Sequence, residues 1–187
     1  MDSVNFDELM DHAKQFSGLT PTREALLVAS GDLVRPRLQE VTDNFYDVLL
    51  SIPKTSVHLE GRVESLKATH LQWLDSLFTG PYDVAYTAAM YAVGDAHVRV
   101  KLPVEFMAGG MCLIQNELAR IAGEVCDGDI GRTISLIGAM NAVLGFSLMV
   151  MQESYQSSSL AEELDRFLAI TGMSRVLFNN LADAYQI

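Results

Sequence analysis

Apolar residues return every three or four positions along most of the chain, and no stretch alternates apolar and polar residues between hairpin turns. The first spacing marks the buried face of a helix; the second would mark a half-buried strand. The pattern predicts an all-α fold of about seven helices with no internal repeat.

Punctuation sets the expected boundaries. Thr20-Pro21 reads as an N-cap followed by proline at the first helical position, with Gly31 as the stop. Asp32 then caps a helix reaching Ser51, its start displaced by Pro36. A third helix is expected over 61–78, ended by Gly80-Pro81, and a fourth from Asp83 past His97. Long helices follow over 103–125 and 130–156, then a short one from the serine run to Gly172 and a weakly patterned helical tail over 173–187.

On the second of these helices the apolar stripe is Leu38, Val41, Phe45, Val48, Leu49 and Ile52, with Tyr46 at its margin. Turning the third by about 100° per residue puts Val63, Leu66, His70, Trp73, Leu74 and Leu77 on one stripe, with Thr69 at its edge. A histidine in the middle of an apolar face needs a partner once buried. His70 is either a core histidine bonded to a backbone carbonyl or a group facing a ligand, and periodicity leaves both open. His97 follows YTAAMYAVGDA, where Gly94 and Ala96 leave space for something bulky. The same two readings apply to it. His12, in the polar N-terminal segment, and His58, in a short connection, read as surface residues.

Composition narrows the function classes. Hydrophobic residues make up 49% of the 187, with 13 glycines and 5 prolines, as in a folded domain. A formal net charge of −11 opposes nucleic-acid backbones and anionic lipid, so neither is expected as a partner. One run, ISLIGAMNAVLGFSLMVM at 134–151, approaches membrane-spanning length, for which about 20 apolar residues are needed. It contains Ser135, Asn141 and Ser147 and lacks a basic C-terminal flank, so it is expected to be buried on most sides, in a core or at a subunit interface.

Cys112 and Cys126 form no C-x-x-C pair, and neither is spaced from a histidine as a zinc clip or a thioether-linked prosthetic group requires. They read as reduced core thiols of a cytoplasmic protein. The N-terminal MDSVNFDELMDHAK is acidic and polar, unlike a secretory signal. H-E-x-x-H, E-x-x-H, G-x-x-x-x-G-K and G-x-S-x-G are absent, as is a basic stripe with interleaved aromatics. Enzyme chemistry built from side chains alone has little support, and the protein is expected not to be an enzyme.

Two separated pieces, VTDNFYDVLLSIP at 41–53 and VESLKATHLQWLDSLFTGPYD…VGDAHVRVKLPVEFMAGGM at 63–111, together resemble the globin-coupled sensors, a bacterial family whose N-terminal haem globin drives an attached output domain. The F-Y pair, the LFTG-Y turn and the VG-x-x-H-V-R-V-x-L-P stretch follow the family's order at near-family spacing. The likeness covers residues 20–156. It implies a globin fold, a three-over-three helical sandwich with an extra N-terminal helix and a C-terminal helical linker. The sensor domain would occupy 1–156 and the linker 157–187.

The resemblance also implies non-covalent haem b, with His97 as the iron ligand on the helix before two long C-terminal helices. Haem iron takes a neutral imidazole oriented through its other ring nitrogen. Phe45, Leu66 and Val98 would help wall a dry pocket. The resemblance places Tyr46 over the iron, where its hydroxyl would donate to bound dioxygen, with Thr69 holding a second hydrogen bond or a water and Leu66 excluding water. His70, one residue from Thr69, would bind the iron as a sixth ligand if its helix were turned slightly.

A sensor of dioxygen or another diatomic gas is the leading expectation, and homodimerisation goes with it. The helix over 130–156 is apolar on more faces than one core uses, and Gly109-Gly110, Gly138 and Gly145 permit close helix approach. Helices 103–125 and 130–156 would then pair with their copies in a four-helix interface. The stripe Leu160, Leu164, Phe167 and Leu168 reads as a linker toward an output domain or a separate signalling partner, residues 157–187 being too few to form that domain. Two other readings stand beside this one. The first is a haem-free globin-fold interaction module of a stress-signalling complex. The second is a haem enzyme, disfavoured by the lack of a charged distal base.

Overall fold

A computed structural model describes residues 4–185. Among them the chain is helical throughout, and an N-terminal helix precedes the rest as expected. The helices are α1 (Phe6–Ser17), α2 (Pro21–Val34), α3 (Leu38–Ser51), α4 (Pro53–Ser56), α5 (Val63–Ser76), α6 (Val84–Arg99), α7 (Val104–Val125), α8 (Ile130–Thr171) and α9 (Arg175–Tyr185), with a 3-10 turn at Arg35–Arg37. Side chains cap the starts: Thr20 accepts from the Arg23 amide, Asp83 from that of Tyr86 and Asp129 from that of Arg132. Each satisfies an amide that has no partner within its helix.

Gly31 does not stop α2. It is buried where the helix meets the end of α5, and a Cβ there would lie 3.0 Å from the Phe78 carbonyl oxygen. This glycine serves close approach rather than termination. Asp32 therefore sits inside α2, and the turn containing Pro36 separates α2 from α3.

The second departure is larger. No break occurs at the serine run: α8 continues to Thr171 and ends at Gly172 in the left-handed region, φ 69°. Its first half is covered by α1, α2, α6 and α7. Leu136, Met140, Val143, Leu144, Phe146 and Val150 are buried there. Burying each such side chain contributes about 1.5–3 kcal/mol.

Much of the apolar surface of this helix is thus used within one chain, while Ile130 and Ile134 at its start stay exposed. The glycines agree: a Cβ at Gly138 would meet Arg23, one at Gly145 would meet Ser17 and one at Gly110 would meet Phe45, while Gly109 faces open space. α8 is long and apolar enough to cross a membrane, yet 56% of its most apolar window is buried in the fold. In the C-terminal stripe Leu168 is buried, whereas Leu160 and Phe167 are exposed.

α3 packs between α5 and α7. Surface charges fix this arrangement: Lys67 Nζ lies 2.8 Å from Asp43, and Arg120 reaches Glu40, Glu117 and Glu124. These groups are solvated, so they set register more than they add stability.

Candidate functional site

Three helices carry the predicted side chains and their neighbours. α3 carries Thr42, Phe45 and Tyr46; α5 carries Leu66, Thr69, His70 and Trp73; α6 carries His97 and Val98. α5 packs on α3, whereas α6 packs on α8 and α1, so the two histidines belong to separate helix pairs.

His70 stands at the centre of an aromatic cluster. Its ring stacks on Phe45, with centroids 4.6 Å apart and planes 7° from parallel. It meets Tyr46 edge-on at 5.7 Å and Trp73 at 5.5 Å. Phe45 in turn rests against Gly110, where a Cβ would stand 3.3 Å from its ring. At the ring edge, His70 Nδ1 is 3.1 Å from the hydroxyl oxygen of Thr42, which is fully buried. Burial pushes the His70 pKa down to about 4, so the ring is neutral at physiological pH.

His97 is half-buried on α6, and burial lowers its pKa as well. The buried side-chain nitrogens without a hydrogen-bond partner among the described residues are His70 Nε2, His97 Nδ1 and Trp73 Nε1. Such atoms are costly in a folded chain unless a further group satisfies them. Two neutral imidazoles with unpartnered nitrogens suit a metal held by histidine. By contrast, no three His, Cys, Asp or Glu side chains converge among the described residues as a zinc site would need.

Tyr46 is more buried than its marginal place on the stripe predicts: 6% exposed, while Val48 and Ile52 on that stripe are 38% and 41% exposed. Rotation of α3 toward α5 accounts for both. Desolvation raises the Tyr46 pKa to about 12, so its hydroxyl stays protonated. Leu66 is half-buried and Val98 buried, the latter lining a cleft with Lys101, Tyr155 and Glu162.

Thr69 does not join the site. It is exposed, and its hydroxyl donates to the Ser65 carbonyl at 3.0 Å. A helix-surface threonine satisfies itself this way, which withdraws the distal hydrogen bond expected of it.

Thr42 was not among the sequence candidates. The signal was available: it sits one turn before Phe45 and Tyr46, but a threonine beside an apolar stripe gives no hint of its partner 28 residues on. His12 and His58 lie outside the cluster, next to Phe16 and Phe106 respectively.

The family model described as Protoglobin matches residues 6–160. Among solved structures, the globin domain of the Geobacter sulfurreducens globin-coupled sensor is similar at 30% identity, TM-score 0.73, over 78% of this chain and 97% of that one. The globin domain of E. coli DosC is similar in its ferric form at 15% identity, TM-score 0.67, over 78% of this chain and 99% of that one. Its ferrous form gives 15% and 0.62 over 76% and 98%. The fold is therefore the globin fold. No curated protein sequence matches the chain.

Proposed function

The chain belongs to the protoglobin family, and its globin domain is of the globin-coupled sensor kind; on that premise we propose that it binds haem b non-covalently through His97 and senses a diatomic gas, dioxygen first, as a cytoplasmic sensor rather than an enzyme. The observation that supports this reading is a pair of half-buried imidazoles, each with one buried nitrogen that has no partner among the described residues: His70 Nε2 on α5 and His97 Nδ1 on α6.

Burial keeps both rings neutral, which leaves a lone pair available to iron. Bound ferrous haem supplies an iron that takes up a diatomic gas reversibly. His97 would hold the group and Phe45 and Leu66 would present apolar surface to it, whereas Val98 lines a cleft shared with Lys101, Tyr155 and Glu162. Tyr46, buried and protonated, would be the hydrogen-bond donor for a gas bound there.

A second reading concerns the resting state. With Nδ1 turned to Thr42 and Nε2 unpartnered, His70 has the arrangement of an oriented ligand. Were haem bound, His70 would be available to hold it together with His97.

The dimer is also part of the proposal. Ile130 and Ile134 at the start of α8 are 74% and 65% exposed, which supports pairing of the long C-terminal helices with a second copy. Exposed Leu160, Phe167 and Ile170 support contact of the C-terminal helices with an output domain or partner.

An absorption spectrum of protein from haem-supplied cells tests the core of this. A Soret band that His97→Ala abolishes supports it. Colourless protein that refuses added haemin sinks it and favours a haem-free interaction module. A ferric spectrum that turns high-spin in His70→Ala supports the six-coordinate state.

A further inference from the structure

Two residues before His97, Asp95 Oδ1 accepts hydrogen bonds from Ser154 Oγ at 2.6 Å and Ser158 Oγ at 2.5 Å. Both serines belong to α8, one turn apart, and Ser154 is fully buried. Beside them, Gly94 is a point of close contact between α6 and α8. A Cβ there would run into the Met151 carbonyl oxygen and stand 2.8 Å from Ser154 Cβ. The histidine helix is therefore pressed onto α8 and bonded to it within the same turn. Hydrogen bonds to a carboxylate are the stronger kind and are sensitive to small displacements.

The clasp sits where the sequence predicts a break. Ser157, Ser158 and Ser159 weaken a helix interior because their hydroxyls compete for the backbone. α8 nevertheless runs through them to Thr171. Ser158 gives its hydroxyl to Asp95, not to its own backbone. The family match ends at residue 160, so the helix beyond this point lies outside what the family model describes.

We propose that Asp95 is a positioning residue that couples the His97 helix to the C-terminal half of α8. The clasp keeps α8 continuous across the serine run in one ligation state. A shift of α6 in the other state releases it, and residues 160–171 reorient about the freed serines. The trigger rests on the haem reading above; the clasp rests on the geometry alone. Signalling then requires only that gas binds the clasped and released states with different affinity.

Amide hydrogen exchange over 155–163, on the full ferrous chain with and without carbon monoxide, tests the coupling alongside the Soret band. The wild-type exchange is expected to differ severalfold between the two states. In Asp95→Ala and in the milder Ser158→Ala it is expected to be roughly tenfold faster than in the clasped state, and equal with and without gas, while the Soret band keeps its wild-type position. A purely structural role for Asp95 would leave the gas dependence in place.

Exchange that matches wild type in both variants overturns the clasp. Wild-type exchange indifferent to a gas that does shift the Soret band overturns the coupling and leaves the haem reading intact. A chain without a Soret band overturns the haem reading, and the trigger with it.

Discussion

Thr42 on α3 and His70 on α5 hold each other across the helix interface, hydroxyl oxygen to Nδ1 at 3.1 Å, with one face of the histidine ring stacked on Phe45. The threonine is fully buried, so water cannot replace it in this bond. Thr42→Val keeps the shape and leaves a buried imidazole nitrogen unpaired. The expected loss is about 1–3 kcal/mol, read from the urea midpoint at constant m-value. An unchanged midpoint would show that the bond contributes nothing net.

Acid should destabilise the haem-free chain in a defined window. His70 titrates at about 4 when folded, against 6.5 as its ordinary value. Between these values the unfolded chain binds more protons, so stability is full above pH 6.5 and falls as the pH drops toward 4. The size is on the order of 3 kcal/mol. His97 is shifted in the same direction and adds to the slope. His70→Leu should flatten the pH dependence of the urea midpoint over this range; a profile of unaltered slope would refute the assignment.

Two glycines should respond oppositely to alanine. Gly94→Ala drives a Cβ into α8 backbone and Ser154, and overpacking of this kind costs about 1–3 kcal/mol. Gly109 lies on an exposed helix face with nothing near it, so Gly109→Ala should stabilise by roughly 0.5–1 kcal/mol through helix propensity. Thermal or urea unfolding of the pair gives both signs in one experiment.

Dioxygen release should distinguish two residues that the sequence treats alike. Tyr46 is buried with a protonated hydroxyl, whereas Thr69 is exposed and bonded to Ser65. Tyr46→Phe is expected to speed dissociation roughly tenfold, the equivalent of one good hydrogen bond. Thr69→Ala should leave the rate unaltered. Stopped-flow dissociation measures both, and a slow Tyr46→Phe would remove that residue from the distal side.

What the chain determines by itself is its helical content, most helix starts and the histidines worth attention. These follow from local physics: a 3.6-residue apolar period, cap residues such as Thr20, Asp83 and Asp129, and imidazoles on apolar faces. Family likeness then marks His97 among four histidines that composition cannot rank.

Only the tertiary structure decided the rest, because each remaining feature depends on a partner distant in sequence. Gly31 reads as a stop until Phe78 is packed against it. Tyr46 reads as marginal until α3 turns toward α5. The serine run reads as a cap until Asp95, 63 residues from Ser158, takes up its hydroxyl. A local signal states what a residue prefers in isolation. A contact across the fold, worth as much as that preference, decides whether it is obeyed.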